Sequence, residues 1–374
     1  MGNDSKYFSQ NYSEARRRFR EFNGLDEVER THFKVPSRID DELFVDDLYR
    51  PASQAPKTLF VLTSGVHGVE ASAGSAIQLM FLNELVEQFD LKTTGLYLFH
   101  CFNPYGFKYG RRTTENNVNL NRGFGPNRST FKTPNLGYEK IAHWFEGKKP
   151  IHAPLIPALS SLKLLIEGHA KGFNSKTLNQ AIGQGQFTHP RGLEYGGTDY
   201  EPQVRFFMDR FQTIAQTYDQ ILLFDLHTGL GERGRLHILT GSTEESRNPS
   251  LLKKILDLKA DHAIYEFTET HKPGFYRTIG DINTMIPTLV PGKPVAALTL
   301  EFATLGASLR AKLDTLERIR FENLGHHAGY GNEASATKVK QRFIELFAPT
   351  DQTWQANTIR LARETLSRIA LRLR

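Results

Sequence analysis

A chain of 374 residues with 39% hydrophobic content can bury one large core or two modest ones, the scale of an enzyme rather than a peptide module. Its single cysteine, Cys101, excludes an intrachain disulfide framework and fits a reducing compartment. The net charge of +6 is modest for this length, and no nucleic-acid-binding motif with interleaved stacking aromatics accompanies its basic runs, so no nucleic-acid partner is expected. No apolar run reaches transmembrane length, and Met1-Gly-Asn-Asp-Ser-Lys-Tyr7 has no signal-peptide hydrophobic region, so no membrane partner is expected and the cytoplasm is the expected location.

The cluster Arg16-Arg17-Arg18-Phe-Arg20, like the basic C-terminal tail, is expected to pack on the domain rather than to meet anionic lipid or nucleic acid. The first strong element is the apolar run Thr58-Leu-Phe-Val-Leu-Thr63, a strand that runs into a Gly-rich turn carrying His67-Gly-Val-Glu70. A histidine and a carboxylate three apart can grip one metal ion, and a strand-to-turn junction delivers them to the carboxyl edge of a sheet, where open α/β folds place ligands. A helix follows over about 71–89. Leu96-Tyr-Leu-Phe-His-Cys-Phe102 is a second buried strand, on which Cys101 acts as a small hydrophobe. Next come Asn103-Pro-Tyr-Gly106 and Arg111-Arg112-Thr-Thr-Glu-Asn-Asn-Val-Asn119-Leu-Asn121-Arg122.

Residues 123–200 break the alternation of strands and helices. They are rich in Gly, Pro, Asn and aromatics and too long for a plain connection, which points to a lid or binding wall. A second His-x-x-Glu, His143-Trp-Phe-Glu146, lies here in what reads as an amphipathic helix, with no strand before it and no later partner, so a surface or packing role is expected. A helix over about 203–218 leads to Ile221-Leu-Leu-Phe-Asp-Leu-His227-Thr-Gly229, which repeats the design of an apolar strand ending in histidine and glycine. Two histidines and one glutamate, His67, Glu70 and His227, form a catalytic zinc donor set with a fourth position left for water or substrate. Further on, the apolar strand Val295-Ala-Ala-Leu-Thr-Leu300 ends in Glu301, a carboxylate costly to desolvate unless it faces a polar cleft or a metal.

The tail 351–374 carries five arginines against Asp351 and Glu364, half of the whole charge excess. Trp354, Ile359, Leu366, Ile369 and Leu373 suggest an apolar stripe on a helix that packs on the rest of the chain. The pattern as a whole predicts an α/β fold, with a mixed, mostly parallel central sheet and helices on both faces. It also predicts one domain over 1–374, with a core about 58–305, an inserted segment 123–200 and a helical region 306–374.

The ordered set His-x-x-Glu, Asn-Pro-x-Gly, an arginine, Leu-Asn-Arg, a distant strand-end histidine and then Leu298-Thr-Leu-Glu301-Phe resembles the zinc carboxypeptidase superfamily over about 58–305. Pro134-Asn-Leu-Gly-Tyr138, Gly183-Gln-Gly-Gln186 and Gly192-Leu-Glu-Tyr-Gly-Gly197 resemble a bacterial branch of it whose substrates are not established, related to succinylglutamate desuccinylase and aspartoacylase. The resemblance implies a Zn2+ cofactor and a peptide or N-acyl amino acid as substrate. Glu301 would be the general base, and Arg112, nine residues before Asn121, the stabiliser of the oxyanion, with Arg111 as the neighbouring alternative. Asn121 and Arg122 would clamp a substrate's terminal carboxylate. Tyr276 is the nearest candidate for a capping tyrosine.

One position departs from the pattern. Related enzymes carry aspartate two residues before the substrate-binding Asn, where it orients a zinc-ligating histidine, and this chain has Asn119. An amide still accepts a hydrogen bond from an imidazole, without the charge. The expected activity is hydrolysis of an amide bond beside a free carboxylate, first as a carboxypeptidase, next as an N-acyl amino acid deacylase or cell-wall peptide amidase. A zinc- and carboxylate-binding protein without turnover is the alternative of another class.

Overall fold

A computed structural model describes residues 4–155, 158–241, 248–256, 265–268, 276–304, 306 and 308–374. In chain order its strands are β1 (Glu29–Lys34), β2 (Phe44–Arg50), β3 (Thr58–Ser64), β4 (Thr94–His100), β5 (Gln220–Gly229), β6 (Leu236–Thr240), β7 (Tyr265–Thr268) and β8 (Val295–Ala303). They join in one sheet of order β1-β2-β4-β3-β5-β8-β6-β7. The four central strands, β4, β3, β5 and β8, are mutually parallel, while β2 meets β4 and β6 meets β8 antiparallel. The fold is therefore the expected mixed sheet, and the central strands are the apolar runs that mark it in the sequence, buried at every position of β3, β4 and β8.

Alternation along each strand divides the core between two faces. Phe60, Leu62, Leu222, Phe224 and Leu298 pack with the helices Ala71–Glu84 and Gln352–Leu373. Leu59, Val61, Ile221, Leu223 and Ala297 pack with Pro202–Ala215 and Ile282–Leu289. Every apolar residue expected on the tail stripe, from Trp354 to Leu373, is buried on the first face, and the Trp354 indole N–H donates to the Ala303 carbonyl at 2.9 Å. Among the described residues no helix is long and apolar enough to cross a membrane.

The sheet extends beyond the expected core. β1 and β2 precede residue 58, and β1, Glu-Arg-Thr-His-Phe-Lys, is a polar edge strand half open to solvent, which hid it from an apolar-run reading. Among its described residues the segment 123–200 holds three α-helices, the single-turn Leu136–Glu139 and the longer Leu159–Ala170 and Ser175–Gly183, around a separate small core of Tyr138, Ile141, Trp144, Phe145, Leu164 and Leu178. The stretch around His143 is a single 3₁₀ turn, Ala142–Trp144, rather than an amphipathic helix. His143 there pairs with Glu167 at 2.9 Å on the surface.

Candidate metal centre

The carboxyl ends of the parallel strands carry the chemistry. β3 ends at Ser64, and Gly65, at φ +70°, turns the chain so that His67 and the 3₁₀ turn Gly68–Glu70 lie at the start of the helix Ala71–Glu84. Close approach fixes this turn. A Cβ at Gly68 would stand 2.3 Å from the backbone of Gly106, in the turn of Asn103-Pro-Tyr-Gly106. That second turn is capped by Asn103, whose side chain accepts from Gly106 N at 2.8 Å.

His67, Glu70 and His227 are buried together, their potential ligand atoms all within 4.8 Å of one another. Glu70 presents one oxygen to each imidazole. Oε1 lies 2.8 Å from His67 Nδ1, and Oε2 lies 3.0 Å from His227 Nδ1 while accepting from Thr228 N at 3.1 Å. The far nitrogens are engaged elsewhere. His67 Nε2 donates to Asn119 Oδ1 at 3.0 Å, and His227 Nε2 donates to Asp225 Oδ2 at 2.5 Å. With Nε2 carrying the hydrogen, the Nδ1 lone pair of each neutral ring would face the Glu70 carboxylate, an arrangement of acceptors that a proton or a metal cation between them relieves.

The titration behaviour agrees. Burial opposes ionisation of Glu70, yet the two histidines hold its carboxyl far below the usual range. Burial also opposes the charged form of His227, but Asp225 and Glu70 outweigh it and raise its pKa, so a proton stands where a metal would give its charge. His67 is pushed down to about 4 by burial and by the positive charge of Arg112, which leaves it neutral and ready to ligate. The residues present fit a zinc ion held by two imidazoles and a carboxylate.

Glu301 sits beside this group through the sheet itself, for it is paired in register with His227 across β5 and β8. Its Oε1 accepts from Leu230 N at 2.8 Å. Burial and the nearby Glu70 carboxylate push its pKa up to about 7. A carboxyl poised there both takes and returns a proton at neutral pH.

Arg112 lies next, with Nε 3.9 Å from Glu70 Oε1 and without a hydrogen-bond partner, while its Nη1 makes a short ion pair with Glu194. Tyr276 is half-buried, its ring against Gly183; burial opposes the charge of Arg112, and the Glu194 and Glu70 carboxylates outweigh it. Asn121 Oδ1 caps the helix Ile282–Leu289 by accepting from Ile282 N at 3.3 Å. Arg122 is enclosed. Its Nε and Nη2 donate to Gly183 O at 3.1 and 2.6 Å, its Nη1 donates to Asn121 O at 2.7 Å, and Nη2 also lies 3.1 Å from Glu194 Oε2.

Arg111 is turned away from these groups. Its Nε donates to Glu322 Oε1 at 3.0 Å and its Nη2 to Asn117 Oδ1 at 3.2 Å, a buried ion pair that Lys340 completes from the other side. Its neighbour Arg112 is thus the arginine brought to the ligand cluster. The remainder of the glycine motif before Tyr276, through Phe275, falls outside the described residues.

Two carboxylates that contact the candidate site were not singled out in the sequence. Asp225 is hidden inside an apolar strand, although its spacing two before His227 puts both side chains on one face, where Asp225 also accepts from Thr63 Oγ1 at 2.6 Å. Glu194 lies in the Gly192–Gly197 motif, but nothing in that spacing says that its side chain turns inward.

Comparison with known proteins gives three findings. The model of a family described as protein of unknown function (DUF2817) matches residues 8–361. No curated protein matches the sequence. Among solved structures, the chain is similar to a metallo-carboxypeptidase from Pseudomonas aeruginosa in complex with (2-guanidinoethylmercapto)succinic acid, at 15% identity and TM-score 0.47 over 98% of this chain and 71% of that one. It is similar to bovine thrombin-activatable fibrinolysis inhibitor in complex with tick carboxypeptidase inhibitor, at 14% identity and TM-score 0.47 over 89% and 95%. It is also similar to the carboxypeptidase A from Helicoverpa armigera, at 13% identity and TM-score 0.45 over 92% and 75%. With its match running through nearly the whole sequence, the chain belongs to the DUF2817 family of proteins of unknown function.

Proposed function

We propose that the protein is a zinc-dependent hydrolase of amide bonds in peptide-like substrates. The observation that carries this reading is the convergence of His67 Nδ1 and His227 Nδ1 on the two oxygens of Glu70, with Glu301 in register beside His227. Zinc, when bound by these three residues, supplies a Lewis acid that polarises a carbonyl and acidifies water. The remaining work belongs to the chain. Glu301, poised near neutrality by its buried place, accepts the proton of the attacking water and passes it to the leaving nitrogen. Arg112 stays charged and offers the unpartnered Nε–H to the oxygen that gains negative charge. Asn119 and Asp225 fix the tautomer and tilt of the two rings through their Nε2 atoms.

A carboxypeptidase would also need a cationic group open to the substrate's terminal carboxylate. Arg112 and Arg122 are the arginines at hand, and Glu194 stands between them.

The test is loss and restoration. Chelated protein should hydrolyse no member of a peptide pool, about one equivalent of zinc should restore turnover, and His227→Ala should bind far less metal and stay inactive while keeping its circular dichroism spectrum. A wild type that takes up no divalent transition metal, or a His227→Ala variant that retains it fully, overturns the reading.

A further inference from the structure

Glu194 is an unusual place to find a carboxylate. It is 8% exposed, and its backbone adopts the left-handed conformation, φ +54°, which disfavours any side chain. The flanking chain is anchored on both sides, with Gln186 N donating to Glu194 O at 3.0 Å and Asn119 N to Tyr195 O at 2.7 Å. A position held against its conformational preference is over-determined by what its side chain does.

That side chain gathers three donors, two guanidinium groups and one amide. Oε1 takes Arg112 Nη1, while Oε2 takes Arg122 Nη2 at 3.1 Å and Asn119 Nδ2 at 2.6 Å. Burial opposes its ionisation, and the two guanidinium groups more than reverse that, so the carboxyl is held below its ordinary range and ionised. Each nitrogen of the Arg122 guanidinium already faces an oxygen of the protein. Backbone walls keep the side chain there. A Cβ on Gly185 would stand 2.7 Å from Arg122 Cδ, and one on Gly280 would stand 2.2 Å from its carbonyl oxygen. The Gly183–Gln186 and Gly192–Gly197 motifs are thus the casing of this arginine and the carrier of its counter-ion.

Asn119 belongs to the same arrangement. Its amide oxygen accepts from His67 and its amide nitrogen donates to Glu194. An aspartate at 119 would set a second carboxylate against Glu194, so the replacement of aspartate by asparagine follows from the carboxylate at 194.

We propose that Glu194 is a built-in carboxylate that occupies the place beside Arg112 and Arg122 where a substrate's ionised carboxylate would sit. This rests on the hydrolase reading above and narrows it. The substrates are amides whose leaving side carries no adjacent carboxylate: peptide bonds followed by a further residue or by a neutral amide.

The test compares N-acetylated peptide pools that end in a free acid or in a carboxamide, with zinc-loaded wild type and products read by mass spectrometry. The wild type should cleave the two pools at similar rates. Glu194→Gln, which frees the arginines of their counter-ion, should shift preference toward the acid pool by about 30-fold or more, the discrimination expected when a desolvated arginine gains or lacks its charge partner. A wild type that removes C-terminal residues from the acid pool about 100-fold faster than from the amide pool overturns the proposal, whether or not the variant folds. If neither pool is cleaved, the hydrolase reading fails separately. Calorimetric titration with N-acetyl-L-phenylalanine and its carboxamide then decides the role of Glu194: equally weak binding of both by the wild type supports it, and preference for the acid by about tenfold or more refutes it.

Discussion

Replacing Glu301 by glutamine separates stability from catalysis without requiring the substrate to be known. In the metal-free protein the folded state raises the Glu301 carboxyl from 4.5 to about 7, chiefly through burial and then through Glu70. A group whose folded pKa lies above its unfolded one contributes stability that is fully present below about pH 4.5 and is lost as the pH rises to about 7. That difference corresponds to about 3 kcal/mol, as an upper bound. Glutamine keeps an oxygen to accept from Leu230 N, as Glu301 does at 2.8 Å, and has no charge to desolvate. Urea unfolding of chelated protein should therefore give similar midpoints for wild type and Glu301→Gln at pH 4.5, and a variant more stable by up to about 3 kcal/mol at pH 8. The zinc-loaded variant should meanwhile lose about 10²–10⁴ in kcat, the contribution of a general base. Parallel stability curves from pH 4.5 to pH 8 would show that Glu301 is not held near neutrality, and near-normal turnover would remove it from the proton transfer.

Two further outcomes follow from buried charge. Asn119→Asp should destabilise the fold by about 3–5 kcal/mol by facing Glu194 with an uncompensated carboxylate, and adding Glu194→Gln should recover most of it because the glutamine amide donates in turn; calorimetric Tm values of the two variants decide this, and a double variant no better than the single would break the coupling. Arg111→Ala should cost roughly 1–3 kcal/mol by leaving the buried Glu322 with Lys340 as its remaining ion-pair partner, with zinc stoichiometry unchanged by elemental analysis; a loss of metal without a loss of stability would move Arg111 into the site.

The central strands and the clustering of His67, Glu70 and His227 were legible because both obey one rule: an apolar run buried on two faces ends in a polar residue only where the sheet edge opens. Thr58–Thr63 before His67, Ile221–Leu226 before His227 and Val295–Leu300 before Glu301 all follow it. Asp225 breaks the rule by lying inside its run, where a carboxylate is tolerated because Thr63 and His227 satisfy both oxygens. β1 was missed because an edge strand needs only one neighbour and few apolar residues. Arg111 and Arg112 are adjacent and chemically identical, and their divergent placements depend on Glu322 and Glu194, which lie 211 and 82 residues away in the chain. Glu194 depends on a left-handed backbone in a glycine-rich loop, a conformation that residue type alone does not announce.

The pairing of His227 with Glu301 across β5 and β8 has a bearing on how such a protein can change. The proposed metal ligand and the proposed proton acceptor, fixed by the hydrogen-bond ladder of two central strands, are spaced by the sheet itself, roughly 4.8 Å apart along the pairing direction. Loops at the strand ends can then lengthen, shorten or exchange contacts without altering that separation. A slip of one residue between β5 and β8 would do the opposite, sending Glu301 to the far face and leaving every loop intact. The His227–Glu301 pair is thus inherited with the ladder, and descent with new specificities is open to the segments that surround it.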